Sequence, residues 1–226
     1  SKETQGFLLT GGGGIEERGF ANVRYGAKLA DNAYLRVYGK YSNRDDFPAT
    51  TGLSAEDRWW LAQGGFRLDW EPSEANSLTL QGDYYGGKLG GRVYRHGFEP
   101  PAVFPSTFYA PAQCGNVIAR WTRRFSEDSE MSWQAFLDHV EHEFGIGSEK
   151  RTTADVDAQH RLRLSERHDV VWGGGYRFST DEIAGGPDFD FRDRSKGVQL
   201  VNLFAQDEIA LAPERLRLTL GSKLEH

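Results

Sequence analysis

Long runs of alternating apolar and polar residues, joined by connections that are short and long in turn, constrain this chain more than any other feature. Trp60, Ala62, Gly64, Phe66, Leu68 and Trp70 fall on one parity; Gln63, Gly65, Arg67, Asp69 and Glu71 fall on the other. Leu78, Leu80, Gly82 and Tyr84 alternate with Ser77, Thr79, Gln81 and Asp83. Val156, Ala158, His160, Leu162 and Leu164 alternate with Asp155, Asp157, Gln159, Arg161 and Arg163. Successive side chains of a strand point to opposite faces, so each run reads as an amphipathic β-strand. No segment carries a useful 3.6-residue period. The chain is expected to be all-β.

Eleven strands are predicted: Gly6–Gly14, Gly19–Ala30, Tyr34–Arg44, Trp59–Glu71, Ser77–Gly86, Val117–Phe125, Glu130–Phe144, Thr152–Leu164, Asp169–Thr180, Val198–Leu211 and Leu216–Glu225. Short turns are predicted at Asp31–Ala33, Pro72–Asn76, Ser126–Ser129, Ser165–His168 and Ala212–Arg215. Longer connections are predicted at Asp45–Arg58, Gly86–Asn116, Gly145–Arg151 and Asp181–Lys196. An antiparallel up-and-down sheet with one plain and one elaborate end has this spacing. A transmembrane β-barrel has the same asymmetry, with short periplasmic turns and longer outer loops. Strand length points the same way: sandwich strands run about 5–6 residues, whereas a tilted membrane strand needs about 9–11. Aromatics also gather at the short turns, namely Trp70, Phe125, Trp133 and Trp172, where an interfacial girdle, or ordinary packing of hairpin ends, would put them. In Val198–Leu211, Asp207 shares the parity of Leu203, Ala205, Ile209 and Leu211; a bulge or a charge at the rim accounts for it.

Composition fits one apolar face per strand. Hydrophobic residues are 38% and aromatics 13% of the 226 residues. The net charge of -6 excludes general nucleic-acid binding, which needs a basic field. Cys114 is the one cysteine, so no disulfide forms within the chain; it is a free thiol or pairs outside. No apolar run is long enough for a transmembrane helix, which says nothing of barrel strands. The chain opens in polar sequence and ends inside a strand pattern. Single-chain bacterial barrels have an even strand count, so eleven strands are expected to be part of a larger barrel, with residues 1–226 a partial barrel domain.

Three stretches resemble TonB-dependent outer-membrane receptors. They are GGGGIEERGFANVRYGAKLADNAYLRVYGK (Gly11–Lys40), GGFRLDWEPSEANSLTLQGDYY (Gly64–Tyr85) and NLFAQDEIALAPERLRLTLGSKLEH (Asn202–His226). The last is the most specific, an aromatic followed by Ala-Gln-Asp-Glu and a Pro-containing turn. The resemblance implies an N-terminal plug followed by a barrel of about 22 strands, of which this chain supplies the first half. It implies location in the cell outer membrane, contact with membrane lipid and lipopolysaccharide, and work done through the TonB complex acting on the plug. The cargo class it implies is a small, scarce ligand such as a ferric siderophore, cobalamin or haem. A passive porin and a soluble β-rich binding or adhesion module are the other readings.

The Gly86–Asn116 connection carries the candidate ligand contacts. Arg92, Tyr94, Arg95, His96, Phe104, Phe108 and Tyr109, with Phe98 beside them, offer forked donors and aromatic faces that suit an anionic aromatic chelate; packing of the loop on itself is the competing role. His139, Glu141 and Glu143 share a strand face and His142 the opposite one, which argues against a metal cluster. Asp188, Asp190 and Asp193 lack the Gly and terminal Glu of an EF-hand loop. The Gly11–Gly14 run has no following Lys-Ser or helix, so it is no phosphate loop. No nucleophile constellation is apparent; no cofactor and no enzymatic activity are expected.

Overall fold

The computed structural model describes residues 1–48, 54–97, 99, 103–186, 189–212 and 215–226. Eleven strands form one antiparallel sheet in chain order. They are β1 (Gly6–Gly12), β2 (Gly19–Ala30), β3 (Ala33–Arg44), β4 (Trp59–Ser73), β5 (Asn76–His96), β6 (Val103–Ser126), β7 (Ser129–Phe144), β8 (Gly147–Ser165), β9 (His168–Gly185), β10 (Ser195–Ala212) and β11 (Leu216–Glu225). Every strand pairs only with its neighbours in sequence, and the sheet does not close on itself. The antiparallel up-and-down architecture and the strand count agree with the expectation. The two-residue turns at 31–32, 74–75, 127–128 and 166–167 lie at one end of the sheet. The predicted turn Ala212–Arg215 lies partly outside the described residues, as do Phe98 and Asp188.

Two of the predicted long connections are mostly strand. Residues 86–116 form a tall hairpin in which β5 and β6 keep register from Asn76↔Arg123 to His96↔Val103, with the connection reduced to 97–102. Gly86, Gly87, Gly90 and Gly91 are weak strand formers, and Pro105 and Pro111 lack an N–H, which is why this segment reads as a loop. Both prolines lie beyond the last β6–β7 pair, Ala112↔His142, where β6 has an unpaired edge that tolerates them. The connection at Gly145–Arg151 likewise shrinks to 145–146, because β7 and β8 pair up to Phe144↔Gly147. Cys114 is therefore a strand residue of β6, 3.9 Å from Asp138 Oδ2.

The register sorts side chains into two faces. One carries Val23, Tyr25, Phe66, Trp70, Leu137, Val156, Trp172, Leu203, Leu218 and Leu220; the other carries Arg24, Tyr38, Arg67, Asp83, Asn116, Asp138, Asp155 and Arg177. The sheet has no interior. Among the described residues only Ala33, Ala110 and Ala112 are buried hydrophobics, and no large side chain is fully buried. Trp70 is 42% exposed, Val156 56% and Leu203 60%. The accessible surface is 15388 Å² for 25.4 kDa, against about 10,000 Å² for a folded water-soluble monomer of that mass. An apolar face must be covered by something, so this sheet is a wall whose two sides meet different surroundings.

Asp207 is resolved as a rim charge. Register is unbroken through Asp207↔Val170, and the irregularity falls later, between Ala210 and Ala212. His168, at the short-turn end of β9, reaches its carboxylate at 2.7 Å.

Candidate functional site

On the polar face, β3, β4 and β5 place Tyr38, Gly65 and Asp83 in one row. Because Gly65 has no side chain, Tyr38 reaches across it and donates its hydroxyl proton to Asp83. Gln63 Nε2 donates to the same hydroxyl at 3.0 Å. A Cβ on Gly65 would overlap Asp83 Oδ1 and lie 2.6 Å from Tyr38 Cε1. Around this bridge a cleft of about 420 Å³ is lined by Arg24, Arg36, Lys40, Arg67, Gln81 and others. Arg67 is engaged, with Nε donating to Asp69 at 2.9 Å and Nη1 to Gln81 at 3.0 Å. Arg24, Arg36 and Lys40 pair with no carboxylate of the described residues, and the buried Nε of Arg24 has no acceptor.

Across β7–β9 the arginines of the same face pair with carboxylates. Arg177 donates to Asp155 at 2.8 Å, Arg161 to Asp169 at 2.9 and 3.1 Å, and Arg151 pairs with Asp181. These solvent-accessible pairs contribute little stability each, yet they keep the wall polar along its whole height. A second cleft, of about 690 Å³, lies along this half between Gln81 and Val198.

The seven predicted contact residues sit high on the β5–β6 hairpin but do not converge. Arg95, Phe104 and Phe108 have the parity of the polar face; Arg92, Tyr94, His96 and Tyr109 have that of the apolar face. Phe108 has a packing role. Its ring lies over Gly91, where an added Cβ would come within 2.6 Å of it, and an added Cβ on Gly145 would meet it at 2.5 Å. It thus ties the hairpin to the β7–β8 turn. The Arg92 guanidinium donates to the Ser54 carbonyl at 3.0 Å. Tyr109 lies between two cations, with Arg58 Cζ 5.3 Å and Lys88 Nζ 5.6 Å from its ring centre.

His139, Glu141 and His142 are dispersed. His139 Nδ1 meets Thr152 at 2.8 Å and Glu141 pairs with Lys150 at 2.8 Å, whereas His142 faces the other way, 5.4 Å from the Phe144 ring. In the β9–β10 connection Asp190 pairs with Arg194, whose hydrogen bond holds the carboxyl below its ordinary range. No group of three or more His, Cys, Asp or Glu among the described residues is placed to hold a metal ion.

On the apolar face, aromatics form a belt next to the short turns. Trp121 and Trp133 stack at 4.7 Å, and His160 lies edge-on to Phe125 and Trp172 at 6.3 and 5.6 Å. Trp121 is not among the aromatics that flank the short turns in sequence; its even spacing from Phe125 is the signal that finds it. A second belt, with Tyr41 and Trp60 at 6.3 Å, lies toward the other end.

No protein-family model matches the chain, and no curated protein matches it by sequence. Its fold is that of the barrel wall of solved outer-membrane receptors. It is similar to the siderophore receptor PirA from Pseudomonas aeruginosa, at 15% identity and a TM-score of 0.61, over 92% of this chain and 33% of that one. A variant of the ferric enterobactin receptor PfeA from the same organism matches at 12% identity and a TM-score of 0.67, over 97% of this chain and 38% of that one. The outer membrane transporter YddB from Escherichia coli matches at 12% identity and 0.62, over 92% and 33%. The chain thus spans about a third of the length of these proteins, and at such identities the likeness is one of fold.

Proposed function

We propose that residues 1–226 are part of the barrel wall of a TonB-dependent receptor that sits in the outer membrane and imports a scarce small ligand. The observation that carries the membrane part is the spacing of the two aromatic belts. On β4, Trp60 and Trp70 bracket Ala62, Gly64, Phe66 and Leu68 with no charge between them on that face. Ten residue steps rise about 33 Å along a strand; at a tilt of about 45° this is about 23 Å along the bilayer normal, close to the apolar band of about 25 Å in outer-membrane barrels. The apolar face then meets lipid and lipopolysaccharide, and the polar face meets a lumen. Closure of the barrel falls to strands beyond these eleven, because an open sheet edge is not stable in lipid.

Import, in place of passive leakage, is supported by the shared fold with receptors for ferric siderophores. In this reading a plug occupies the lumen and the TonB complex works on it. Ligand contact on the hairpin belongs to the lumen-facing Arg95 and Phe104, while Arg92, Tyr94, His96 and Tyr109 face away from the lumen and Phe108 packs. The test is uptake of labelled ferric chelates by cells with and without the full-length gene. The reading expects uptake that needs both the gene and an energised inner membrane; uptake that persists after de-energisation is that of a porin and overturns it.

A further inference from the structure

Two cations on the apolar side have no use in the wall itself. Lys88 lies directly across from Trp60, and Arg58 is bonded to the next row, its carbonyl accepting from Gly90 N at 2.8 Å. Tyr109 pairs with Gly90 from the other side. The backbone carbonyls of Arg58 and Glu56 lie against Gly90, where an added Cβ would meet them at 2.7 and 2.8 Å; from there the Arg58 guanidinium reaches the Tyr109 ring, two strands away, and Lys88 joins it. Arg58, Lys88 and Tyr109 are all exposed, and neither cation forms an ion pair with a carboxylate of the described residues. Of the acids near them, Asp45 is engaged with Arg18 at 2.6 Å, Asp46 with the Arg58 backbone N–H at 2.8 Å and Asp57 with the Phe47 backbone N–H at 2.8 Å, while Glu56, whose carbonyl lies against Gly90, forms no ion pair with either cation.

The level of this cluster is fixed by the belts. Lys88 is level with Trp60, at the boundary of the uncharged stretch that ends at Trp70, so the cations sit where lipid headgroups begin. The Tyr109 ring offsets part of their mutual repulsion. Their remaining demand is for a compact, strongly negative acceptor, and a phosphate monoester supplies close to two charges at neutral pH.

We propose that Arg58, Lys88 and Tyr109 form an external clamp for the phosphate of a membrane lipid, at the end of the barrel away from the short turns. The clamp rests on the reading of the apolar face as lipid-facing. It would anchor the tall β5–β6 hairpin to the membrane surface beside it.

The experiment uses the full-length protein in detergent and reads the thermal midpoint during titration with phosphatidic acid, phosphatidylcholine or inorganic phosphate. Wild type is expected to respond to phosphatidic acid at lower concentration than to the other two. A surface cation near anionic lipid is worth roughly a factor of five in affinity. The R58Q/K88Q double variant should therefore need about 25-fold more phosphatidic acid, and K88Q alone about fivefold more, which keeps the test open if the double variant fails to fold. An R24Q/K40Q variant on the polar face should respond as wild type does. Unchanged affinity in R58Q/K88Q, an equal loss in R24Q/K40Q, or an equal response to inorganic phosphate overturns the clamp. Failure of the protein to enter bilayers at all overturns the membrane reading itself, a different outcome from any of these.

Discussion

Replacing Gly65 by Ala tests whether a missing side chain organises the polar wall. The added Cβ would overlap Asp83 Oδ1, approach Tyr38 Cε1 to 2.6 Å and lie 2.9 Å from the Gly82 carbonyl. Tyr38 and Asp83 cannot both hold their places, so the bond between them is lost. A hydrogen bond to a charged group contributes about 1.5–3 kcal/mol, and forced overpacking costs about 1–3 kcal/mol. Here the face is partly open, so the Tyr38 ring can swing away and solvent can reach Asp83; both terms fall to their lower ends, giving about 2.5 kcal/mol. The neighbouring Gly64, on the apolar face, is the control: a Cβ there meets only the Tyr38 carbonyl, at 3.6 Å, and Gly64→Ala should change stability by under about 0.5 kcal/mol. The assay is guanidinium unfolding of the full-length protein in lipid vesicles, followed by tryptophan emission, with a double-mutant cycle of Tyr38→Phe and Asp83→Asn. The cycle should show about 1 kcal/mol or more of coupling in the wild-type background and near zero in Gly65→Ala. Equal effects at Gly64 and Gly65, or coupling that survives in Gly65→Ala, would refute the argument.

Three further outcomes are expected. Phe108→Ala removes the ring that ties the hairpin to the β7–β8 turn; proteolysis of the upper β5–β6 hairpin, at Arg92 and Arg95, should accelerate severalfold while the rest of the wall stays protected. Asp190 has its carboxyl pulled below the ordinary range by Arg194. Whatever order this pair lends the β9–β10 connection is fully present above the usual carboxylate pKa and is lost as pH falls through the depressed value; Arg194→Gln should move that transition in hydrogen exchange of the Phe191 amide to higher pH. The Trp121–Trp133 stack should show about 0.5–1.5 kcal/mol of coupling in a double-alanine cycle, and coupling of zero would mean the rings only share a belt.

The period-2 pattern made most of the fold legible. Parity alone put Trp60 through Trp70 on one face and Asp155 through Arg163 on the other, because the demands on each face of a sheet repeat at the strand period. It failed at Gly86–Asn116, where glycines and prolines mask a strand that the hairpin partner nevertheless holds in register. Asp207 stayed ambiguous in sequence because its partner, His168, is 39 residues away. The polar bridge was illegible for the same reason: Tyr38 and Asp83 are 45 residues apart and meet only because Gly65 stands between them. The candidate contacts were found as a segment but not as a site, since a residue's face on the hairpin depends on a register that residues of the supposed loop do not advertise.

In the proposed barrel, one face of this wall meets lipid and the other does not. The most direct measurement places single cysteines, in a full-length Cys114→Ser background, at Val156 and Leu218 on the apolar face and at Asp157 and Thr219 on the polar face. A fluorophore on each is then quenched in vesicles by lipid-borne or water-borne quenchers. Lipid quenching is expected at Val156 and Leu218 and not at their neighbours Asp157 and Thr219; equal lipid quenching of both parities, or none at either, would mean that the apolar face does not meet lipid.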